Sequence, residues 1–71
     1  MSVDELVKLL EEQMKGIVAG AKALADRLAE KKKQGNLTPR EEAQWHDAIY
    51  ANVKRAEELR RDVEKLRKLL A

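Results

Sequence analysis

The chain has no cysteine and no phenylalanine, and only one each of proline, histidine, serine, tryptophan and tyrosine among 71 residues. Without cysteine there can be no disulfide, no thiolate-held zinc and no cysteine nucleophile. The lone serine is Ser2, far along the chain from the lone histidine, His46. Asp47 follows His46 directly, so on a helix it projects about 100° away and cannot orient that ring. No His-Glu-x-x-His, phosphate loop or paired-carboxylate site is present. The chain reads as a non-enzyme. Long apolar runs are also missing. None approaches the roughly 18–20 residues of a membrane span. Met1-Ser2-Val3-Asp4-Glu5 is acidic and lacks the features of a signal peptide. The expectation is a soluble, cytoplasmic protein with no membrane partner.

Charge of a single sign is lacking too. Fifteen basic and thirteen acidic groups leave a net charge of +2. The two signs interleave along both halves, whereas a nucleic-acid binder concentrates Lys and Arg on one face. The one basic run, Lys31-Lys32-Lys33, falls where a helix ends and cations favour the dipole. No nucleic-acid partner is expected. At this length there is one domain, residues 1–71. Its core contributes only about 3–5 kcal/mol, so a metal, a partner or very regular helix packing has to support it.

What the chain does have is periodicity. Val3, Val7, Leu10, Met14, Ile17, Ala21, Leu24 and Leu28 are spaced alternately four and three apart, an a/d heptad seam. Leu6, Val18 and Ala25 widen it into a stripe suited to more than one neighbour. Trp45, Ile49, Asn52, Ala56, Leu59, Val63, Leu66 and Leu70 form a second seam, flanked by His46 and Val53. Charged pairs four apart, such as Asp4/Lys8, Glu11/Lys15, Glu57/Arg61, Arg60/Glu64 and Glu64/Lys68, are expected to line the outer faces.

Between the seams lies Gln34-Gly35-Asn36-Leu37-Thr38-Pro39-Arg40-Glu41. Gly35 suits a left-handed helix end. Thr38, Pro39 and Glu41 form an N-cap, a first helical residue and a capping box. Ser2 and Glu5 repeat the box at the start. These signals predict helix 1 over about 3–34, a turn over about 35–38 and helix 2 over about 39–70. A loop this short makes the helices antiparallel neighbours. The fold class is all-α: an antiparallel two-helix hairpin. Its stripes are too wide for one hairpin to cover, so it is expected to assemble with itself into a four-helix or six-helix coiled-coil-like bundle. A homodimer is favoured over a homotrimer. Leu10, Met14, Ile17, Ala21, Leu24, Trp45, Ile49, Asn52, Val53, Ala56, Leu59 and Val63 are the expected oligomer-interface residues.

The Gly-Asn-Leu-Thr-Pro-Arg-Glu-Glu connection, the matched capping boxes, the Lys/Glu/Arg-rich outer faces and the Leu/Ala/Val seams resemble de novo designed helical hairpins and bundles. The resemblance is one of style over the whole chain. It implies a regular, self-assembling bundle and no particular activity.

Two groups of residues depart from the ideal pattern. Gly16 and Gly20 each cost about 1 kcal/mol relative to alanine in a helix interior. They imply close helix approach, a gap held open for a ligand, or mere tolerance on an exposed face. Trp45, His46, Tyr50 and Asn52 form the second group. His46 is expected to turn partly inward, with Glu42 one turn earlier orienting it. Tyr50 is expected to lay its ring inward and its hydroxyl outward. Asn52 is the polar seam member that can fix register. The alternative function is therefore a ligand-binding bundle, with a pocket at Gly16, Gly20, His46, Ile49, Asn52 and Val53. No cofactor is required by the sequence. Zinc held by His46 and Glu42 from two chains, or haem held by facing histidines, are the candidates, along with a small apolar molecule.

Overall fold

The computed structural model describes residues 2–70. Helix α1 spans Val3–Gln34 and α2 spans Pro39–Leu70, and the two pack side by side as a hairpin with no strand among the described residues. Capping chemistry sets the ends. Glu5 N–H donates to Ser2 Oγ at 3.2 Å. At the second start the box closes both ways: Glu41 N–H donates to Thr38 Oγ1 at 3.2 Å, and Thr38 N–H donates to the Glu41 carboxylate at 3.3 Å. Gly35 ends α1 at φ 72°, in the left-handed region where a Cβ is costly, and its N–H donates to the Lys32 carbonyl.

The seams face each other. Val7, Ala21 and Leu28 of α1 are buried with Ala56, Leu59 and Val63 of α2. Leu10, Met14, Ile17, Leu24, Trp45, Ile49, Asn52 and Leu66 are half-buried along the same line. The terminal members Val3 and Leu70 are exposed, because the seam there has no further turn to close over it.

Two parallel rods make a thin body. The molecule measures 51 × 16 × 15 Å with a radius of gyration of 16.1 Å, against about 11 Å for a compact domain of this length. Not one large side chain among the described residues is fully covered. Surface scaling predicts roughly 4,500 Å² for a folded monomer of this 8.1 kDa mass, whereas the hairpin exposes 5672 Å².

Several local expectations need correction. The charged pairs predicted at spacing four do not close among the described residues. Glu11 instead accepts from Arg67 Nη2 of α2 at 2.8 Å. Water screens such exposed pairs almost completely, so spacing alone does not hold them. Tyr50 is 67% exposed and lies out on the surface, because it stands well round α2 from the seam. Separately from these corrections, Ala21, Ala56, Leu59 and Val63, four of the expected oligomer-interface residues, are buried within the single hairpin.

Candidate functional site

At the loop end, α1 hands over to α2 through a small polar cluster. Glu42 lies three residues before Trp45, which makes it the first position of the α2 seam rather than an outer-face residue. Its carboxylate meets the Lys32 ammonium of α1 and lies 3.5 Å from His46 Nε2, one turn on along its own helix. The Lys32 hydrogen bond, more than the histidine, holds the Glu42 carboxyl below its ordinary value, against the opposing pull of desolvation. On the other side of the same junction, Lys31 Nζ sits 5.7 Å from the Trp45 ring centroid, a cation–π contact. Sequence spacing marks the Glu42 seam position in retrospect. The Lys31–Trp45 contact depends on how far the helices are apart and has no spacing signal.

His46 is not turned inward. Its side chain is 60% exposed, because it stands about 80° round α2 from the seam line. The His46–Glu42 pair offers a metal two donors, one of them already taken by Lys32. No group of three or more His, Cys, Asp or Glu among the described residues could hold a metal, and a closed zinc site needs four ligands. One chain therefore fits zinc only as half a site.

The expected pocket is not brought together. Gly16 and Gly20 are each two residues from Val18, which puts them about 160° round α1 from it. Val18 and Val53 line one flank of the hairpin, here termed the front, and His46 shares that flank by its position on α2. The glycines lie on the opposite flank, the back. A Cβ built on either glycine meets nothing within 4 Å. They allow no close approach within the hairpin and enclose no cleft. A haem between His46 and these glycines does not fit, since the hairpin separates them. Ile49 and Asn52 stay half-buried in the seam. No buried side-chain polar atom among the described residues lacks a partner, so Asn52 strands no polar group in the core.

Apart from Tyr50, the exposed large apolar side chains among the described residues fall into two places. At the front, halfway along the hairpin, Met14, Val18, Val53 and Ala56 line an open groove bordered by Glu57 and Arg60. Val18 is 52% and Val53 42% exposed there. At the open end, Val3, Leu6, Leu9, Leu69 and Leu70 are exposed. The heptad count identifies Val18, Val53 and Leu6 as edge positions. It has no signal for Leu9 and Leu69, which lie outside both seams. No described helix is long and apolar enough to cross a membrane. No protein-family model matches the chain, and no curated protein or solved structure matches it.

Proposed function

We propose that the chain is a structural self-association module, a helical hairpin that completes its core by pairing with a second copy of itself in a symmetric bundle. One observation carries this reading. The hairpin exposes roughly 1,200 Å² more than a compact monomer of its mass, and no large side chain among the described residues is fully covered. A standard interface removes about 800 Å² from each partner, so a dimer accounts for most of the excess. Closed two-fold symmetry is the commonest way for one chain to do so. The even mixture of charges on the outer faces suits a homo-oligomer, because a chain with strong charge of one sign repels its own copies.

Sedimentation equilibrium across a hundredfold range of concentration tests the proposal. The expected result is a dimer mass at high concentration and a melting temperature that rises with concentration, since assembly stabilises by mass action. A monomer mass throughout, with a concentration-independent melt, overturns it.

A further inference from the structure

Resting on that self-association, the geometry points to the front face as the contact. It also points to one orientation: loop beside loop, with α1 of each copy against α2 of the other, around a two-fold axis parallel to the helices. The groove at Val18 and Val53 is the first observation. It lies halfway along both helices, so a copy seated there overlaps the full length of the hairpin.

Charge decides the orientation. Because the helices are antiparallel and equal in length, residues at one level have numbers adding to about 73. Lys8, Lys15 and Lys22 recur every seven residues along the outer edge of the α1 front. Glu57 and Glu64 recur in the same way along the outer edge of the α2 front. With the axis parallel to the helices, Lys15 of one copy comes level with Glu57 of the other, and Lys8 with Glu64. Val18 comes beside Val53. The two-fold repeats each pairing. With the axis across the helices, α1 meets α1, and Lys15 of one copy comes level with Lys22 of the other. That puts like charges together. The back face has no matching rows: there Gly16 comes level with Glu58, and Leu9 with Lys65.

The absence of native cysteine makes the test clean. A Val18→Cys chain is mixed with a Val53→Cys chain and oxidised gently, and the products are separated without reductant. The inference expects the mixed disulfide to dominate. Val18→Cys linking mainly to itself overturns the orientation. In parallel, Lys8→Glu with Lys15→Glu is expected to weaken dimerisation about tenfold, four favourable pairs per dimer having become repulsive. Adding Glu57→Lys and Glu64→Lys to the same chain keeps the net charge at its native value and is expected to restore the affinity. No restoration overturns the pairing of rows. Finally, Gly16→Ala with Gly20→Ala is expected to leave the dimer Kd unchanged. A tenfold loss would move the contact to the back face. A wild-type monomer sinks self-association as a whole. A trimer sinks the pairing of two copies together with the face assigned here, and a dimer failing these tests sinks only the face and orientation.

Discussion

The two ends of the hairpin contain similar amounts of helix and hold it in different ways. At the loop end, Gly35 turns the chain, the Thr38–Glu41 box closes in both directions, and the Lys32–Glu42 and Lys31–Trp45 contacts bridge the helices on either side of the seam. At the open end α1 is capped by one side-chain hydrogen bond, donated by Glu5 N–H to Ser2 Oγ, and Glu11–Arg67 is the tie between helices that lies nearest. Val3, Leu6, Leu9, Leu69 and Leu70 remain in water. The loop end owes its order to local chemistry, which needs only neighbours in sequence. The open end has apolar area and little to cover it, so its order depends on what packs there. Opening free energies in a helical protein follow this kind of difference, and the open end should fray first.

The largest expected effect tests how far that difference reaches into the core. Leu28 is buried near the loop, and Leu28→Ala is expected to cost about 2–4 kcal/mol, combining lost transfer energy with a residual cavity. Leu69 is 78% exposed at the open end, and Leu69→Ala is expected to change stability by less than about 0.5 kcal/mol. Urea unfolding at one fixed protein concentration measures both. A cost at Leu69 approaching that at Leu28 would mean that the open end is covered in solution by another chain.

How much of this was legible in the sequence follows the same division. The hairpin was readable because its signals are local and redundant. Two seams of period 3.5 are separated by a glycine stop and a Thr-Pro-x-Glu start, and each constrains only a few neighbouring residues. The mid-helix glycines are legible as anomalies, and of the three readings they allow, the open surroundings of both fit an exposed face. Two residues from Val18 puts them on the far flank from the groove, so they could not share a pocket with Val53. His46 was misplaced for a similar reason. A residue directly beside a seam position is about 100° away from it, which is enough to turn an imidazole into water. Contacts between helices, such as Glu11–Arg67 and Lys31–Trp45, depend on the register of one rod against the other. Spacing within a single helix does not encode that register.

A smaller effect separates the two capping boxes. Thr38→Ala removes the hydroxyl that accepts from Glu41 N–H and donates to the Glu41 carboxylate, leaves the backbone half of the box in place, and is expected to cost about 1 kcal/mol. Ser2→Ala removes a single acceptor at a helix start that already frays, and is expected to cost only a few tenths. Amide hydrogen exchange distinguishes the two. Loss of protection in α2 should spread inward from residue 39 after Thr38→Ala. In α1 the first turn should exchange quickly before and after Ser2→Ala. Equal costs for the two substitutions would remove the distinction between the ends at the level of backbone capping.

The smallest expected effect is electrostatic and probes the loop end alone. Lys32 holds the Glu42 carboxyl below its ordinary value of 4.5 in the folded chain, whereas the unfolded chain leaves it near that value. The unfolded state therefore binds this proton more readily. Stability from the pair is fully present at neutral pH, and it is lost as the pH falls from about 5 through the lowered carboxylate range. Glu42→Gln keeps the shape and removes the charge. It is expected to lower the melting temperature slightly at pH 7, by a difference that narrows steadily as the pH falls below about 5. Half a molar salt should shrink the difference at pH 7, because both side chains are substantially open to water. A difference that does not narrow with falling pH would assign the contribution of Glu42 to its packing at the head of the α2 seam, and the loop end would then owe its order to burial, as the rest of the hairpin does.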